Sequence, residues 1–115
     1  MDSEEMKRRT KQFAINVGVL TQGLPDSQIN RAYSNQIIRS SSSVGANYRA
    51  SRRAKSNADF INKLKIVEEE LDESLFFLVL LAFFNQPQKE DIGILYREGE
   101  TLLKIIVASI VSSRK

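Results

Sequence analysis

Apolar residues recur three and four positions apart along most of this 115-residue chain, the spacing that lines one face of a helix turning about 100° per residue. Four such stripes can be followed. The first runs through Phe13, Val17, Leu20 and Leu24, with Met6 extending it backwards. Asp2 or Ser3 can cap its start. Gly23 predicts its end by entering the left-handed conformation, and Pro25 cannot continue the backbone ladder. Gly18, inside the stripe, costs about 1 kcal/mol relative to alanine and reads as the mark of a close helix crossing.

The second stripe follows a cap at Asp26 or Ser27 and runs through Ile29, Tyr33, Ile37 and Val44, with Ser40, Asn47 and Tyr48 on the same face. Serines compete for backbone hydrogen bonds, so Ser40 to Ala46 can be read as a loop. The unbroken register favours a helix with a narrow waist, where a neighbouring backbone can come close. Asn47 falls on the inner face, where a hydrogen-bonded amide would fix register. After a turn at Arg53 to Ser56, the third helix opens on Ser56, with Asp59 three residues on to reach back toward the cap. Its stripe is Phe60, Leu64, Val67, Leu71, Leu75 and Leu78.

From Leu75 to Phe84 this helix is apolar on every side, yet far short of the roughly 20 residues a bilayer needs. A helix apolar all round needs a second surface to bury against. That predicts a subunit contact at Phe76, Phe77, Leu80, Phe83 and Phe84; the alternative is a helix enclosed within its own monomer. Gln86-Pro87-Gln88 breaks the chain. A fourth helix then opens on Lys89, Glu90 and Asp91, with Ile92, Leu95, Gly99, Leu102, Ile106 and Ile110 as its stripe. The prediction is all-α: a single domain folded as an up-down-up-down antiparallel four-helix bundle, with helices near 3–23, 27–53, 56–86 and 89–113.

The chain has no cysteine and no histidine, which excludes disulfides, thiolate and imidazole chemistry and the usual zinc sites. No cofactor is expected. The opening MDSEEMKRRTKQ has no apolar core, and with no membrane span predicted the expected location is cytoplasmic. Net charge is only +3, but residues 27–58 hold six bases and no acid, whereas 59–86 hold six acids and two bases. On a helical wheel Arg31, Arg39, Arg49 and Arg53 cluster opposite the second helix's stripe, flanked by Arg52 and Lys55. Such a face can track a phosphate backbone; it can equally be a solvated face, or one paired with the acids of the third helix. Glu68, Glu69, Glu70, Asp72 and Glu73 invite a metal reading, but consecutive carboxylates point to different sides and no histidine stands three residues away. No metal site is expected.

Taken together in order, Gly45-Ala46-Asn47-Tyr48-Arg49, Arg53-Ala54-Lys55-Ser56, Ala58-Asp59-Phe60-Ile61, Lys63-Leu64 and Glu68-Glu69-Glu70 to Glu73 resemble the four-helix-bundle proteins encoded by intervening sequences of bacterial 23S ribosomal RNA genes. The resemblance implies a cyclic homopentamer. It also implies kinship with the accessory protein of diversity-generating retroelements, a basic pentameric barrel that binds nucleic acid and a reverse transcriptase. Phe76-Phe77 departs from the Tyr-Trp pair of many relatives, and the family offers no catalytic residues to carry over. Three functions compete on these grounds: a non-enzymatic oligomer that binds RNA or DNA through the arginine face, a scaffold that binds a protein partner and no nucleic acid, and a metal-dependent nuclease. The first is expected.

Overall fold

The computed structural model describes residues 2–114, which form α1 (Ser3–Gln22), α2 (Gln28–Ser51), α3 (Asn57–Phe84), one turn of 3₁₀ helix (Gln86–Gln88) and α4 (Lys89–Ser113). No strand occurs among the described residues. Three starts are capped by side chains that satisfy an otherwise unpaired backbone N–H. Asp2 accepts from Glu5 at 2.8 Å, Ser27 from Asn30 at 3.0 Å and Ser56 from Asp59 at 3.1 Å. The Asp59 carboxylate reaches one residue further back than a capping box requires, accepting from the backbone N–H of Lys55 and from the Lys63 ammonium, each at 3.3 Å. Those two bonds, the Lys55 one first, hold its carboxyl below the usual aspartate range.

The third helix is shorter than the predicted 56–86: Asn85 leaves the helical conformation, and Gln86–Gln88 make their own tight turn. The end of α1 also differs from expectation. Gly23 has φ −87°, an ordinary right-handed value, and its N–H closes the last turn onto Val19 and Leu20.

α1 packs on α2 and α4, and α3 packs on α2 and α4, so α1 and α3 lie across the diagonal of a four-helix array. The body is 45 Å long and 20 Å across, which matches a 28-residue helix of about 42 Å. Across α2 and α3, Asn30 meets Asn85, Ser40 meets Ser74 and Arg52 meets Phe60, so paired positions run in opposite senses along the chain. The core consists of the four predicted stripes with one exchange. Ile29 is 37% exposed, and Asn30 takes the inward position.

α2 is one continuous helix through its serines, as the unbroken register predicts. Ser40 and Ser41 are buried, and each hydroxyl bonds a carbonyl one turn back, Ile37 and Ile38 respectively. Ser40 also meets the Ser74 hydroxyl of α3 at 2.9 Å. On the other side of this waist, a Cβ on Gly45 would stand 3.5 Å from the Thr10 hydroxyl and 3.6 Å from its backbone carbonyl carbon. The small side chains therefore bring α2 close to both neighbours. Gly18 marks no crossing, because a Cβ there would meet nothing within 4 Å. The glycine that does mark one is Gly99, where a Cβ would fall 2.7 Å from Leu75 and 3.3 Å from Phe13.

The register-fixing amide is not Asn47, which is half-buried and donates to Ser43 of its own helix. It is the buried pair Asn30 and Asn85. Their side chains exchange two hydrogen bonds of 2.8 Å, and their remaining donors reach Pro25 and Leu81 carbonyls. This knot ties the α1–α2 loop, the start of α2 and the end of α3 together. Replacing Asn85 by leucine strands the buried Asn30 amide and should lower stability by about 1–3 kcal/mol. The Asn30→Leu/Asn85→Leu double variant should cost less than the sum of the singles, which a double-mutant cycle in urea measures directly. Gly45→Ala has room and gains helix propensity, so it should raise the melting midpoint with up to about 1 kcal/mol of added stability. Gly99→Ala should lower it, because overpacking costs about 1–3 kcal/mol against the same gain.

Candidate nucleic-acid interface

Every basic residue singled out from the sequence is exposed: Arg31, Arg39, Arg49, Arg52, Arg53 and Lys55. They do not form one uniform stripe. Arg31 and Arg53 are separated by roughly 33 Å along the helix at 1.5 Å per residue, and Arg31 is tied to Asp26 in an ion pair. Arg39 donates to the Gln36 side-chain oxygen at 3.5 Å. Burial, then repulsion from Glu73, raises the Glu70 carboxyl above the usual glutamate range, with Arg39 and a hydrogen bond from Ser43 pulling the other way.

The remaining four gather at one end. Arg49 donates to the Lys7 carbonyl of α1 at 3.4 Å, and the Arg52 guanidinium lies over the Phe60 ring, 5.5 Å from its centre. Arg53 and Lys55 occupy the turn into α3. Among the described residues the ion pairs are Lys7–Glu4, Arg8–Glu5, Arg9–Glu98, Arg31–Asp26 and Lys63–Asp59. Arg39, Arg49, Arg52, Arg53 and Lys55 take part in none of them. Among the described residues, then, no acid of α3 forms an ion pair with Arg49, Arg52, Arg53 or Lys55. With chain-length tethers and exposed heads, these groups can meet phosphates at several points without base readout.

Sequence reasoning missed α1's share of this end. The contacts Thr10–Gly45 and Lys7–Arg49 bring Lys7, Arg8 and Lys11 alongside the C-terminal half of α2. The KRRTK run was visible, but nothing local says which level of α2 it faces. Arg9 is withdrawn from it: its guanidinium makes a two-pronged, part-buried bond to Glu98 of α4, at 2.6 and 3.1 Å.

The opposite half of α3 is apolar and uncovered. Phe76, Phe83 and Phe84 are 58%, 70% and 49% exposed, while Phe77 and Leu80 are half-buried. Tyr33 of α2 packs on Phe77 and Phe84 with ring centres about 6 Å apart, and Phe76 and Phe83 lean edge-on against Phe77 and Phe84. The acids at Glu68 to Glu73 do not converge; among the described residues no group of three or more carboxylates is placed to hold a metal ion. No helix among the described residues is long and apolar enough to cross a membrane.

A crystal structure from Bacteroides thetaiotaomicron VPI-5482, of a protein with unknown function from the S23 ribosomal protein family, superposes with a TM-score of 0.83. It is 32% identical, over 91% of this chain and 97% of that one. No curated protein matches. Residues 3–108 match the 23S rRNA-intervening sequence proteins, and the chain belongs to that family.

Proposed function

We propose that this chain is a non-enzymatic, self-assembling helical bundle that binds the backbone of RNA or DNA through the basic end formed by Arg49, Arg52, Arg53 and Lys55, with Arg39 beside it. The observation that carries the reading is that these side chains are exposed and form no ion pair among the described residues. A protein of net charge +3 that leaves its bases free on one end favours a polyanionic partner over a small anion. An RNA partner implies a cytoplasmic setting. The paired positions across α2 and α3, and across α1 and α2, support an up-down-up-down arrangement. The exposed phenylalanines of α3 support a homo-oligomer, since a lone chain would hold them in water. A ring of five is the size the family resemblance implies.

Fluorescence anisotropy of the purified, nuclease-treated protein against a labelled structured RNA tests the binding. Affinity should fall steeply with salt, as each neutralised phosphate releases condensed counterions. Arg49→Ala/Arg53→Ala should weaken binding by about tenfold or more at fixed salt and flatten the salt dependence by about two counterions. The assembly should keep its mass. Undiminished affinity in the double variant would sink the assignment of these residues, and no binding at low salt would favour a scaffold that recruits a protein instead.

A further inference from the structure

α4 carries a glycine that packing does not explain. Gly99 stands where Leu75 and Phe13 leave no room for a side chain, but at Gly93 a Cβ would meet nothing within 4 Å except the Arg97 guanidinium, 3.5 Å away. A glycine inside a helix weakens it, and no close crossing accounts for this one. Helical side chains lean toward the N-terminus of their own helix, over the residue four positions back. Arg97 therefore lies back over the bare backbone of Gly93, in the direction of Lys89, one turn further along the same face. Lys89 and Arg97 are both exposed, and neither takes part in an ion pair among the described residues.

These three residues form one wall of an open hollow of about 310 Å³ in the seam between α3 and α4. Its other surface is apolar: Val79 and Ala82 of α3 border it, with the core residues Leu78 and Ile92 beneath. No acid lines it. An adjoining hollow shares Lys89, Gly93 and Arg97, but it adds Glu90 and has no side chain of α3. An anion in the first meets two cations, whereas in the second it also meets an opposing carboxylate. Lys89 follows directly on the turn that Asn85 anchors, so the seam lies toward the end of the bundle opposite Arg49, Arg52 and Arg53.

We infer that this seam is a binding site for a small amphipathic carboxylate, with the anionic head held between Lys89 and Arg97 above Gly93 and the apolar body laid along Val79 and Ala82. The size sets the class. Ligand pockets run from about 300 to 1,000 Å³, so this one is at the small end and has room for a body of about ten carbons rather than for a stretch of nucleotides. The head follows from the donors: a guanidinium presents paired N–H groups in one plane, which match the two oxygens of a carboxylate, and the lysine adds a point charge. The body follows from the floor, because a bare anion such as phosphate would leave Val79 and Ala82 in water and gain nothing from them. Gly93 then has a reason: a larger side chain there would stand under the guanidinium and fill the seat.

Isothermal titration calorimetry of the full-length protein with phenylbutyrate, which joins one carboxylate to a body of this size, tests the site. Binding should saturate at one molecule per chain with a Kd of about 0.1–1 mM. Phenylbutanol, which lacks the charge, and inorganic phosphate, which lacks the body, should each bind at least about tenfold more weakly. Lys89→Ala/Arg97→Ala should lose about tenfold in affinity for phenylbutyrate and nothing for the alcohol. Gly93→Leu should abolish binding while circular dichroism shows an equal or higher melting midpoint, since leucine is the better helix former. Arg49→Ala/Arg53→Ala should bind phenylbutyrate as the wild type does, which separates this seam from the arginine end. Absence of saturable binding overturns the proposal. So does an alcohol that binds as tightly as the acid, which would make the hollow an unselective apolar surface, or a phosphate that does, which would make Lys89 and Arg97 a bare anion contact. Unchanged binding in folded Gly93→Leu or in Lys89→Ala/Arg97→Ala, or weakened binding in Arg49→Ala/Arg53→Ala, places the ligand elsewhere and overturns it too.

Discussion

A bundle of four helices has no central helix, so each helix can turn only one face inward. α1, α2 and α4 meet this constraint with one buried apolar stripe each, although Ile15 and Val19, Ile38, and Ile94, Val107 and Val111 remain exposed on them. α3 meets it until Leu75 and then does not, because the core takes Leu75, Leu78 and Leu81 while Phe76, Phe83 and Phe84 are left exposed. The surplus is too short to be a membrane span and too large to be incidental. It defines what the outer surface of this protein has to do.

The core itself depends on side chains that would look out of place there. Small hydroxyl residues in the middle of α2 let α1 and α3 approach, and the cost of burying them is offset because each hydroxyl is satisfied by its own helix. A buried polar group with a partner is tolerated, and one without is expensive. The Asn30–Asn85 pair uses the same rule across helices: its members satisfy each other and two loop or helix-end carbonyls, so a one-turn slip of α3 on α2 would strand four polar groups at once. Apolar contacts alone are non-directional; the amide pair adds the direction.

What was legible in the sequence follows from how local each cause is. Ser27 and Ser56 could be found because a cap acts within three residues. The stripes are legible because a helix repeats every 3.6 residues, and the serine waist reads as helical because its register is unbroken. Ile29 reads as inward because it is apolar and in phase, yet Asn30, one position on, is held by a residue 55 positions away. No local pattern announces that partner. Gly18 and Gly99 illustrate the same limit: both interrupt a stripe, and only the position of Leu75 and Phe13 decides which one marks a contact. The arginine array was legible as composition. Its concentration at one end, joined by α1 and thinned by Asp26 at the other, depends on helix pairing that the wheel does not contain.

Charge segregation along the chain can now be given a physical reading. Six bases without an acid followed by six acids with two bases would, on neighbouring helices, be expected to pair across the seam between them. They form no ion pair with one another among the described residues: Arg39 acts on the Glu70 carboxyl only through its charge, and Asp59 accepts from the backbone N–H of Lys55. Exposed pairs within a chain add little to stability, so their absence costs the fold almost nothing. Among the described residues Glu68, Glu69, Asp72 and Glu73 of α3 and Lys11, Arg39, Arg49, Arg52, Arg53 and Lys55 take part in no ion pair, whereas Lys7, Arg8 and Arg9 of α1 are paired within the chain. The same separation leaves Arg49, Arg52 and Arg53 outside every ion pair among the described residues, which is the condition a phosphate-binding surface must satisfy.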